Sequence, residues 1–172
     1  MTDFDSSDTQ SSCAFQAFFT GHYFVKIDKT LRVTIPSKFV QVLDNIGGCH
    51  TQFVWVIPGV DGLRVLPKTE WDKLLSELNR ISPIDRKGQE FKRFMLGRAL
   101  ECELDVQNRI RLTKPMMAIG KLTNNELAFT GAGNEMSIET VENWEKSNTD
   151  SAMESMWQLS DQVFSNLEAN LR

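Results

Sequence analysis

The 172-residue sequence predicts an α+β protein made of two similar β-rich halves with amphipathic helices beside them. Three observations lead there. Short stretches alternate apolar and polar residues, as half-buried strands do. Those stretches recur at a nearly fixed offset along the chain. After the first set, apolar residues fall at i, i+3, i+4 and i+7, the spacing of one helix face.

The offset is 77 residues at the start of the repeat. Tyr23, Val25 and Ile27 superimpose on Leu100, Cys102 and Leu104, and each trio reads as a strand. A turn follows, then a second strand on Val33 and Ile35 or on Ile110 and Leu112. Next come short helical segments, PSKFVQVLDNI closed by Gly47-Gly48 in the first copy and PMMAIGKL in the second. Two more strands flank glycine-bearing turns: FVWVI, PGVDG and LRVL, then ELAFT, GAGN and EMSI. There the offset becomes 73, which a loop four residues shorter explains, and Trp71 falls on Trp144. Trp71, Leu74, Leu75 and Leu78 make the stripe of the helix that completes the first copy.

Between the copies, Asp85 is placed to cap a helix carrying Phe91, Phe94 and Met95. Near the end, Ser151 and Glu154 have capping-box spacing. Met153, Met156, Trp157, Val163, Phe164 and Leu167 then stripe a last helix. The expected organisation is a mobile acidic tail over 1–18, β-rich units over 19–70 and 98–146, a helical linker over 71–97, and a C-terminal helix over 147–172. Units this small bury little surface alone, so the stripes predict packing between units and between subunits, a homo-oligomer.

Composition excludes several classes. No apolar run approaches a membrane span, and the first dozen residues, MTDFDSSDTQSS, lack the basic and apolar regions of a secretory signal. Cys13, Cys49 and Cys102 are odd in number and form no C-x-x-C pair, which fits a cytoplasmic protein with no disulfide framework. Cys49-His50 is the one Cys/His neighbour pair, so no metal or other cofactor is expected. Ser37 has no histidine near it, and Gly131-Ala132-Gly133 is a hairpin turn rather than a dinucleotide loop, so neither an enzyme nor a small-molecule substrate is expected. The net charge of −4 hides a gradient: residues 1–20 carry −3, residues 139–172 carry −5, and the segment between is +4. That middle permits a nucleic-acid surface.

The motif that asks for one is DKTLRVTIPSKF, from Asp28 to Phe39, repeated as DVQNRIRLTKPM, from Asp105 to Met116. In each, the Asp carboxylate is placed to accept N–H groups of its own turn and to orient the Arg four residues on. Alternation sends Val33 and Ile35 inward, and so Arg32 and Thr34 outward; in the second copy Arg109 and Arg111 face out. An isolated Asp–Arg surface pair is worth only about 0–1 kcal/mol. Two at matching places in a duplication read as a built, arginine-presenting surface.

These residues resemble the MraZ family, bacterial transcription regulators with two domains similar to the AbrB type. The likeness runs through GHYFVKIDKTLRVTIPSKF, LRVLPKTEW, FKRFMLGRALECELDVQNRIRL and MSIETVENWEK, about residues 19–147, with the D-x-x-x-R signature met by Asp28/Arg32 and Asp105/Arg109. The resemblance implies swapped-hairpin β-barrels in ring-like homo-oligomers. It also implies a nucleoid-associated regulator that binds short direct repeats in double-stranded promoter DNA of the division and cell-wall gene cluster, usually repressing it. The signature glycine before each Arg is replaced by Leu31 and Asn108. Asn tolerates a left-handed backbone, whereas Leu is disfavoured there by about 1–2 kcal/mol, so the first turn is expected to take another geometry.

The expected DNA contacts are Arg32 and Arg109, with Lys26, Lys29, Arg98, Arg111 and Lys114 on phosphates; Asp28 and Asp105 orient the turns. The competing expectation, from net acidity and the apolar last helix, is an oligomeric adaptor that does not touch DNA.

Overall fold

The computed structural model describes residues 18–47 and 53–170. Nearly all of the expected tail, with Cys13, Gly48, Cys49 and His50, lies outside the described residues. In chain order the elements are β1 (His22–Lys26), β2 (Arg32–Thr34), α1 (Ser37–Gly47), β3 (Phe53–Pro58), β4 (Leu63–Leu66), α2 (Lys68–Asn79) and α3 (Arg86–Leu96). Then follow β5 (Leu100–Glu103), β6 (Arg109–Arg111), α4 (Lys114–Ile119), β7 (Glu126–Gly131), β8 (Met136–Thr140), α5 (Val141–Ser147) and α6 (Asp150–Asn170). The protein is α+β, with antiparallel strands and flanking helices.

Six strands form one sheet in the order β1-β7-β8-β4-β3-β5, and β2 and β6 form a separate two-stranded ribbon. Strands of the two repeats are interleaved in the sheet. β1 of the first pairs with β7 of the second, Val25 opposite Leu127, while β5 of the second pairs with β3 of the first, Cys102 opposite Val54. β4 meets β8 between them, and a forked Arg64–Glu135 pair, with bonds of 2.8 and 2.5 Å, ties the same two regions together. Pairing across the repeats satisfies strand edges that either repeat alone would leave open.

The alternation read from the sequence explains the core. Val33, Ile35, Val54, Val56, Val65, Ile110, Leu112, Leu127, Phe129, Met136 and Ile138 are all buried in one cluster. Phe39 of α1 sits edge-on to Phe19, Tyr23 and Phe129, with centroids 5.2–5.9 Å apart; such pairs contribute about 0.5–1.5 kcal/mol each beyond area. The β3–β4 turn lies so close to β8 that a Cβ on Gly62 would overlap the Ile138 carbonyl oxygen.

A second cluster holds α2 and α3 to the sheet. Trp71 stacks on Trp55 at 4.3 Å, covered by Leu78 and Met95. Asp85 caps α3 by accepting from the Gly88 N–H at 3.1 Å, as its position predicts. The α3 stripe divides, however: Met95 is buried, while Phe91 and Phe94 stay exposed. Trp144, the counterpart of Trp71, packs on His22 and Phe24 instead, 4.3 and 5.1 Å away.

The expected capping box at Ser151 does not form. The Met153 N–H already donates to the Thr149 carbonyl at 2.9 Å, so Ser151 lies inside the helix. Along α6, Met153, Met156, Trp157, Leu159, Val163 and Phe164 are exposed, and the Leu167 side chain is outside the described residues.

Candidate nucleic-acid interface

Two turns of one design carry the site. The Leu31 N–H donates to the Asp28 carbonyl at 3.0 Å, and the Asn108 N–H to the Asp105 carbonyl at 2.8 Å. Each Asp N–H then donates to the carbonyl of its Arg, at 3.0 Å in both copies. Each turn ends on a left-handed residue, Leu31 at φ 62° and Asn108 at φ 56°. The expectation that Leu31 would impose a different first turn is therefore overturned. The cause is tertiary: the Leu112 N–H donates to the Leu31 carbonyl at 2.8 Å, and the Ile35 N–H to the Asn108 carbonyl at 2.9 Å. The two turns hold each other's strands, and rotating Leu31 out of its conformation would break that register. Its side chain also packs against the core.

The Asp carboxylates work within their turns. Asp28 Oδ1 accepts from the Thr30 N–H at 2.7 Å, the Thr30 hydroxyl at 2.6 Å and the Arg32 N–H at 2.9 Å. These bonds, the Thr30 hydroxyl first, hold its pKa below the ordinary value. Asp105 Oδ1 accepts from the N–H groups of Gln107 and Arg109 at 2.9 and 3.0 Å, and its Oδ2 takes Arg109 Nε at 2.8 Å. The Arg109 guanidinium, which also pairs through a second nitrogen at 2.8 Å, is the main reason Asp105 is lowered to about 2. The copies thus differ. Asp105 holds its arginine, while Asp28, furnished with the Thr30 hydroxyl, makes no side-chain bond to Arg32. Sequence reasoning expected both arginines to be held; a threonine two residues after the first Asp was the signal that could have separated them.

The ribbon sets the arginines side by side. Val33 faces Ile110, both fully buried, while Arg32 stands directly opposite Arg111 and Thr34 opposite Arg109. The Leu31–Leu112 and Asn108–Ile35 bonds fix the alternation so that Arg32 and Arg111 form a non-hydrogen-bonded pair, where side chains come closest, about 4.5 Å between Cα atoms. Like charges in that position repel. Neither guanidinium has a carboxylate partner within salt-bridge distance among the described residues.

Arg32, Arg109, Arg111, Lys114 and Asp105 line one cleft of about 590 Å³, with Glu101 and Glu103 of β5 on its wall. Cys102, between them, turns inward, and burial pushes its thiol up to about 12. Lys29 is exposed in the first turn. Lys26 is engaged by Glu126 at 3.2 Å, and the Arg98 guanidinium lies over the Phe94 ring at 4.3 Å, so both of these expected cations, like Arg109, already have a partner. The Arg32–Arg111 opposition and the two glutamates were not foreseen, since alternation assigns a face but not a cross-strand neighbour. Among the described residues, no group of three His, Cys, Asp or Glu residues is placed to hold a metal ion, and no helix is long and apolar enough to cross a membrane.

Comparison with known proteins adds the family. A family model described as "MraZ protein, putative antitoxin-like" matches residues 18–94. A protein named transcriptional regulator MraZ from Leuconostoc citreum is 30% identical over 134 residues, covering 78% of this chain and 89% of the relative. This chain belongs to the MraZ family. MraZ of Oenococcus oeni is 31% identical over 74% of this chain and 85% of its own length, and MraZ of Alkaliphilus oremlandii 33% identical over 77% and 87%. Both carry the name transcriptional regulator. The span shared with these MraZ proteins is long enough to take in both repeats, whereas the family model matches the first repeat and the helices after it.

Proposed function

We propose that this chain is a DNA-binding transcriptional regulator that presents the β2–β6 ribbon to duplex DNA. One observation carries the reading: Arg32 and Arg111 oppose each other across the ribbon with no carboxylate within salt-bridge distance among the described residues. A DNA phosphate between the two would convert that repulsion into paired charge-assisted hydrogen bonds. Glu101 and Glu103 repel a phosphate from the β5 side of the cleft and so favour the ribbon side. Arg109, held by Asp105, keeps N–H donors pointing away from the carboxylate and suits the O6 and N7 acceptors of a guanine in the major groove. Lys29 and Lys114 add phosphate contacts; Lys26 and Arg98 add less, being engaged elsewhere.

The finer reading rests on the family. The interleaved strands belong to swapped-hairpin β-barrels, and the copies assemble into a ring-like homo-oligomer in the cytoplasm, on the nucleoid. Several ribbons presented together gain by effective concentration on short direct repeats in the promoter of the division and cell-wall gene cluster, which the protein represses. No catalytic step is part of this function.

The test is fluorescence anisotropy with duplex DNA from that promoter region across a salt series. Arg32→Ala and Arg111→Ala each weaken binding and lower the log–log salt slope by about 0.9 for every phosphate the arginine neutralises. Arg109→Ala instead relaxes discrimination at one base position, by about 1–3 kcal/mol. An Arg32→Ala/Arg111→Ala double variant that binds like the parent refutes the reading. Flat salt dependence in the parent would favour the adaptor that does not touch DNA.

A further inference from the structure

We infer that α6 of one copy docks on α3 of the next, an acidic apolar helix seated on a basic apolar one. The partner surface is thus a second copy of this chain, which deepens the oligomer proposed above and rests on it.

Both helices present exposed apolar side chains. On α6 these are Met153, Met156, Trp157, Val163 and Phe164, all exposed. Their 3–4 spacing keeps them on one face along a helix of 21 residues. On α3, Phe91 and Phe94 are exposed although Met95 of the same helix is buried. Large apolar side chains left exposed together on one helix face mark a contact site.

Charge chooses the pairing. Residues 150–170 carry four carboxylates, including Asp150 and Glu154, and no Lys or Arg. The α3 helix carries Arg86, Lys87, Lys92 and Arg93 against Glu90 alone, and Glu90 is paired with Arg86 at 3.2 Å. Two copies of α6 packed on each other would oppose like charges, as would two copies of α3. Only the mixed pairing brings apolar face to apolar face with opposite charge around it. In the protomer the α6 face is open, so a partner's α3 can reach it. Contact between two different patches runs head to tail, and such contacts close into rings when the rotation permits.

The experiment is sedimentation velocity on the full chain without DNA, for the parent, Glu154→Lys, Lys87→Glu, the double exchange and Trp157→Ser. Each single reversal and Trp157→Ser raises the dissociation constant at least about tenfold, and the double exchange regains most of the parental assembly. Circular dichroism melts of the variants establish that they fold, which the exposure of all three side chains favours. A parent that sediments as a protomer overturns both this inference and the oligomer itself. A parent that assembles, with variants that assemble equally well, overturns the α3–α6 contact alone.

Discussion

Leu31 offers a test in which the usual order of two substitutions reverses. Leu31→Ala and Leu31→Gly both remove a half-buried side chain that packs on the core, at a loss of about 1 kcal/mol each, roughly half the value of a fully buried leucine. Alanine keeps a Cβ at φ 62° and so retains strain of about 1–2 kcal/mol. Glycine relieves the strain but frees the unfolded chain, which offsets about 0.4–1 kcal/mol. Glycine should therefore exceed alanine by about 0.5–1 kcal/mol, whereas alanine exceeds glycine by a similar amount in ordinary helix or strand positions. Urea unfolding at one fixed protomer concentration measures it, since association adds to apparent stability. The same pair at Asn108, φ 56°, should show the same order. If alanine matches or exceeds glycine at position 31, the claim that the cross-repeat bond holds a strained leucine is wrong.

Two further outcomes follow from the geometry. The Asp105 carboxyl is lowered from 3.8 to about 2 in the folded protein, so it contributes stability above pH 4 that is lost as pH falls towards 2. Asp105→Asn should flatten the decline of the urea midpoint between about pH 5 and 2; parallel curves for variant and parent would contradict this. Gly62→Ala forces a Cβ into the Ile138 carbonyl and should cost about 2 kcal/mol or more, a fall in Tm of at least about 4 °C, while an unchanged melt would mean the turn can shift away from β8.

Strands, turns and the buried face were legible because they are local. Val33 and Ile35 announce their face by alternation, and Asp85 announces its cap by position. The strand pairs around PGVDG and GAGN were legible too, but partners across the repeats were not, because alternation says which way Val25 points but not that it lies beside Leu127 rather than a strand of its own repeat. The left-handed Leu31 was misjudged for a related reason: intrinsic preference argued against it, and a hydrogen bond from Leu112, 81 positions on, decided otherwise. Within the candidate site, the sequence supplied Arg32, Arg109, Arg111 and Lys114, but their opposition across a ribbon depends on a register that no single stretch of chain encodes.

The strand order also has a consequence for how the protein is made. β1 leaves the ribosome long before β7, its partner about a hundred residues later, and β3 must likewise wait for β5. Pairings so distant in sequence make folding slow, and the waiting strands keep open edges that neighbouring nascent chains can capture. A chain interrupted after the first repeat would hold β1 without its partner and β3 paired only with β4, its other edge open. Folding and subunit assembly can therefore begin in earnest only once synthesis is nearly complete.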